Sequence, residues 1–195
     1  MDEGNFHCRH FAESKGFQYM PLIDIYKNKK IPFPEGKNFE GVLCTSQDPC
    51  MIPIEHTTVP QNKADFLLSK IYAGKKIKNN SPAIRDSSLP NEAFKAAQKK
   101  HEKSEGYSNC VSQLENHGDV FSEKRILLLI RFDPYNSPLY NPEDFKDESE
   151  LLSDARLLLE RKGNQLSFFT EIYYGAYFPG EKGITLCLEL VYKIL

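Results

Sequence analysis

Five side chains in the N-terminal third have the right chemistry to share a metal ion. Cys8, His10, Cys44, Cys50 and His56 offer the thiolates and imidazoles that tetrahedral zinc takes. Their spacing supports a site only weakly: there is no C-x-x-C knuckle, and five residues separate Cys44 from Cys50 and again Cys50 from His56, which matches no zinc signature. The competing reading makes Cys44 a small buried hydrophobe on a strand and the histidines surface residues. The expectation is therefore no cofactor, with these five residues as weak metal candidates.

Other chemistries are less well marked. A cysteine nucleophile needs a base and an orienting group. Cys44 or Cys110 could combine with His56, His101 or His117, but nothing local activates one thiol over another. A metal-dependent nuclease would draw on Asp119, Glu123 and Lys124 before an apolar run, or on Glu189 with Lys193. Two-metal chemistry requires carboxylates that converge, and solvated strand ends carry the same residues. No glycine-rich phosphate loop, nucleophile elbow or run of metal ligands is present in the sequence.

Charge and aromatic content point to partners rather than to a reaction. The formal net charge of -2 hides a basic middle, since Lys70–Lys103 holds 9 Lys/Arg against 3 Asp/Glu, while Ser104–Leu195 holds 9 against 15. Lys75, Lys76, Lys78, Lys99 and Lys100 are the residues that would neutralise the phosphates of RNA or DNA. Lysine dominates there and arginine is scarce, and a pI near 6.2 has the wrong sign for an obligate nucleic-acid binder. Aromatic rings crowd one stretch near the C-terminus, where Phe169, Tyr173, Tyr174 and Tyr177 would meet a partner protein if nothing in the chain covers them.

The elements that must position these groups are clearest in the last third. R-I-L-L-L-I-R at Arg125–Arg131 reads as a central strand buried on both faces. Asn141-Pro142 opens a helix whose apolar face is Phe145, Leu151, Leu152, Ala155, Leu158 and Leu159, closed by Gly163. Leu166–Phe178 and Ile184–Leu195 alternate as the two strands of a hairpin around Pro179–Gly183. Earlier strands are expected at Phe17–Tyr26, Phe39–Thr45 and Met51–Ile54, with a capped helix from Asn62 to Gly74. Met1–Gly16 reads as a polar lead-in. Residues 75–104 read as an exposed basic insertion, with at most a weakly docked helix at Pro90–Lys103.

The order strand, helix, strand, strand predicts an α+β fold, a mixed or antiparallel sheet with helices packed on one face. The 195 residues suffice for a single domain with that insertion. A terminal strand without a polar tail suggests a domain of a longer protein. The absence of a signal-like N-terminus, of a membrane-length apolar run and of regular cysteine spacing suggests an intracellular setting, cytoplasmic or nuclear. The functional expectation is a non-enzymatic protein-protein interaction module, binding through the aromatic hairpin or the middle segment. The alternative is a nucleic-acid-associated domain, a binder or accessory nuclease subunit, using the basic segment 70–103.

Overall fold

A computed structural model of the chain describes residues 3–35, 38–59, 89–131, 156–157, 159–180 and 183–194. Six strands lie side by side in chain order: β1 (Gln18–Pro21), β2 (Gly41–Cys44), β3 (Ile52–Val59), β4 (Ile126–Arg131), β5 (Glu171–Gly180) and β6 (Gly183–Lys193). The pairs β1–β2, β2–β3 and β5–β6 are antiparallel, whereas β3–β4 and β4–β5 are parallel. The sheet is open and mixed, and with its helices it belongs to the α+β class.

β4 sits inside the sheet as its apolar run demands. Ile126, Leu128 and Ile130 point to one face and Leu127 and Leu129 to the other, and all five are buried. A strand apolar on both sides requires a cover on both. Helix α1 (Glu3–Lys15) covers the first face through Cys8, Phe11 and Ala12. The second face is covered by α2 (Leu22–Lys29), α3 (Leu89–His101) and α4 (Ser104–Glu115), through Leu22, Ile25, Tyr26, Ala93, Ala97, Tyr107 and Leu114. Helices thus pack on both faces, one more layer than the strand-helix-strand-strand pattern implies.

Three local readings change. Met1–Gly16 is no lead-in, because Gly4, Cys8, Phe11 and Ala12 share one face of α1 and bury it. The expected strand Phe17–Tyr26 stops at Pro21. Leu22, Ile25 and Tyr26 then follow the three-four spacing of a helix and turn inward together. The described part of the supposed insertion also packs: Ala93 and Ala97 are fully buried and Phe94 nearly so, because alanine lets α3 approach the sheet closely.

In the C-terminal block, residues 156–157 and 159–162 are helical and a 3-10 turn follows at Gly163–Leu166. β5 begins only at Glu171, so Phe168 and Phe169 precede the strand rather than alternate within it. The helix expected at Asn62–Gly74, Lys75, Lys76 and Lys78, and the helix start at Asn141-Pro142 lie outside the described residues. Among the described residues, no helix is long and apolar enough to cross a membrane.

Candidate functional site

The most unusual polar group in the fold arises just before β2 joins the sheet. Gly41, the first residue of β2, pairs with Ile54, so Glu55 and His56 are the first residues of β3 with no β2 partner beside them. On its other side β3 continues, with Glu55 in register with Leu127 and His56 with Leu128. The alternation of a strand therefore sends Glu55 towards α3 and α4 and His56 towards α1. Glu40, one residue before β2, lies across this open edge. Carboxylate oxygens of Glu40 and Glu55 and a ring nitrogen of His56 all fall within 4.8 Å of one another.

Each side chain has a local reason for its place. Lys100 on α3 meets Glu55 Oε1 at 2.5 Å, and the backbone N–H of His56 donates to the same oxygen at 3.1 Å. Glu55 is 2 % exposed and its second oxygen, Oε2, has no hydrogen-bond partner. His56 Nδ1 lies 3.4 Å from Glu40 Oε1, outside hydrogen-bonding geometry, and the ring of His7 on α1 stands 5.2 Å from that of His56. The Glu40 carboxylate rests on the first turn of α1, where a Cβ on Gly4 would come within 2.5 Å of it. Glycine permits that approach, and a helix N-terminus favours an anion there.

Burial and charge act differently on the two acids. Burial pushes the Glu55 carboxyl above its usual range, and the Lys100 ammonium offsets this only in part. Burial also pushes Glu40 upward, but the His56 imidazole and the charges of Lys100 and Lys103 outweigh it and hold Glu40 below its usual value. The Tyr107 hydroxyl, raised first by burial and then by the neighbouring Glu55 charge, stays protonated. The arrangement can hold a cation, or hold and move a proton between an acid and an imidazole.

Beside this cluster runs a cleft of about 240 Å³, lined by Asn5, Pro21, Leu22, Ile23, Phe33, Asn38, Phe39 and Glu40. Ile23 and Phe33 are exposed, as are Phe6 and Met20, which adjoin the lining residues Asn5 and Pro21 in the chain. Tyr19 braces the floor, donating its hydroxyl to Asn5 Oδ1 at 2.5 Å. β1 is an edge strand, with no strand on its outer side among the described residues.

The residues singled out from sequence are mostly used elsewhere. Phe169, Tyr173 and Tyr174 are buried in the two cores, so their rings meet the chain itself, while the side chain of Tyr177 lies outside the described residues. Lys99 is exposed and Lys100 is engaged with Glu55, so those two lysines do not form a common surface. Of Cys8, His10, Cys44, Cys50 and His56, only His56 belongs to a group of metal-type donors among the described residues. Cys8 is buried under the sheet, and burial pushes the thiols of Cys44 and Cys110 up, away from the reactive thiolate. Cys110 donates to Asn38 Oδ1 at 2.8 Å, His101 Nδ1 accepts from the Phe168 N–H, and His117 Nδ1 contacts the Gln113 carbonyl, so Cys110, His101 and His117 are each engaged apart from one another. The nuclease carboxylates also disperse: Asp119 pairs with Lys29, Lys124 with Glu171, and Glu189 with Arg156.

Sequence reasoning missed Glu40 and Glu55. A usable signal existed for Glu55, a lone acid at an inward-facing position of I-P-I-E-H-T-T-V. Comparison with protein-family models, with curated proteins and with solved structures finds no match.

Proposed function

We propose that the chain is a protein-interaction module that receives an extended segment of another protein alongside β1, at the cleft between α1 and α2. One observation carries this reading: exposed Ile23 and Phe33 stand at a cleft whose lining includes Pro21, the last residue of the edge strand β1. An edge strand offers backbone donors and acceptors, and a neighbouring cleft receives alternate side chains. The occupant is a segment with apolar side chains at every second position. This differs from binding through Phe169, Tyr173 and Tyr174, which are buried. An intracellular setting, cytoplasmic or nuclear, belongs to the same reading and is supported by the odd number of irregularly spaced cysteines.

The test is selection of short peptides displayed in random sequence against the chain, followed by affinity measurement and amide-shift mapping. The reading expects alternating apolar peptides that shift the amides of Gln18–Met20 and lose at least about tenfold in affinity against the double variant Ile23→Glu, Phe33→Ser. Peptides that bind the variant equally well, or that shift only distant amides, would sink it. An oligonucleotide arm at low and moderate salt covers nucleic acid. Salt-sensitive binding lost on Lys99→Glu would favour the basic segment instead.

A further inference from the structure

We propose that Glu40, Glu55 and His56 form a binding site for a divalent transition-metal ion of the zinc type. The inference is independent of the peptide reading, although Glu40 borders the cleft. Geometry is the first support. Two donors at about 2.0–2.1 Å from a tetrahedral ion stand about 3.3–3.4 Å apart, and His56 Nδ1 lies 3.4 Å from Glu40 Oε1 without hydrogen-bonding geometry. All three donor atoms fall within 4.8 Å, so a side-chain adjustment on the order of 1 Å closes the shell.

Burial is the second support. Glu55 is 2 % exposed, and its Oε2 has no hydrogen-bond partner. The neighbouring Tyr107 hydroxyl is a neutral donor and supplies no charge, so a cation beside Glu55 would offset a burial cost that Lys100 meets only in part. The donor set is the third. One imidazole nitrogen with two carboxylates suits zinc-like ions, whereas calcium and magnesium take oxygen shells. Lys100, already 2.5 Å from the other Glu55 oxygen, shows that the pocket accommodates positive charge and sets the charge against which a metal competes.

The experiment uses the purified whole chain, stripped of metal, titrated with Zn²⁺ against a fluorescent chelator and with Co²⁺ by visible absorption. The expected result is one saturable equivalent, with visible bands of tetrahedral cobalt and no thiolate charge-transfer band. Glu40→Gln and His56→Asn should each weaken binding at least about tenfold with unchanged circular dichroism. Cys44→Ser, Cys50→Ser and the cleft variant Ile23→Glu, Phe33→Ser should leave binding as it is. If Glu40→Gln does not fold, His56→Asn, altered at the rim of the sheet, carries the comparison. The proposal is overturned by the absence of a saturable equivalent, by binding that both cluster variants retain, or by a thiolate-cobalt band.

Discussion

Among the described residues two glutamates are buried on this sheet, and their surroundings differ in an instructive way. Glu171, at the start of β5, is fully provided for: Lys124 meets Oε2 at 2.9 Å, Tyr173 donates to the same oxygen at 3.0 Å, and Lys193 stands 3.8 Å from Oε1. Glu55, on β3, relies on Lys100 and one backbone N–H at Oε1, and its Oε2 has neither. The first acid is held redundantly at a strand end, as expected of a structural ion pair. The second depends on one lysine and faces a second acid and an imidazole. A buried charge with a single ammonium and only a neutral tyrosine hydroxyl besides is poised to take another cation, which is why the cluster, and not Glu171, is the candidate site.

The contrast can be broken by mutation. Lys100→Met should cost about 3–5 kcal/mol in chemical denaturation, because it leaves Glu55 buried without its counterion. Lys124→Met should cost below about 1 kcal/mol, since that lysine is partly exposed and two further groups serve Glu171. Equal losses would erase the distinction.

Tyr173→Phe removes one hydrogen bond from Glu171 and should cost about 1 kcal/mol. Burial, and then the adjacent Glu171, raise the Tyr173 hydroxyl to about 12. Its folded pKa exceeds its unfolded one, so stability should fall as pH rises from 10 towards 12, when the unfolded chain sheds the proton first. The phenylalanine variant should lack that share of the alkaline loss, as denaturation across this pH range would report.

Gly4→Ala should change stability little, because the atoms that a new Cβ meets are the movable end of Glu40. It should nevertheless weaken zinc binding by displacing that carboxylate, a split between stability and binding that calorimetry and metal titration would resolve. Phe33→Ser should cost about 1 kcal/mol, since its ring packs edge-on against Tyr26 at 5.2 Å, and smallest of all, Ile23→Glu should leave the unfolding free energy within about 0.5 kcal/mol.

The parts of this fold readable from sequence were those where one period dominated. Five successive apolar residues identified β4, and alternation identified β6 up to its end, where a bulge opposite Ile172–Tyr173 buries Val191 and exposes Leu190. α1 escaped notice because its buried face is built from glycine, cysteine and alanine around a single phenylalanine. L-I-D-I-Y satisfies both a two-residue and a three-four spacing, and only the packing of Leu22, Ile25 and Tyr26 on the sheet decides for a helix. α3 looked thin in apolar surface, yet its alanines are what bring it close to β3 and β4.

The candidate site was less legible for a different reason. It joins Glu40 and His56 across sixteen positions by starting β2 only at Gly41, and it brings Lys100 in from a distant helix. Such a meeting depends on strand register, which local composition does not report. Zinc sites are usually marked in sequence by cysteine and histidine spacing, whereas 27 Asp/Glu in the chain give Glu40 and Glu55 no local distinction.

The most direct test of the central claim is thermal unfolding of the parent chain and of Lys100→Met, each with zinc and with chelator. If the Glu55 cluster takes a cation, zinc should replace the missing ammonium and raise the variant's midpoint at least about 3 °C further than the parent's. Equal shifts in both proteins, or none in either, would contradict it.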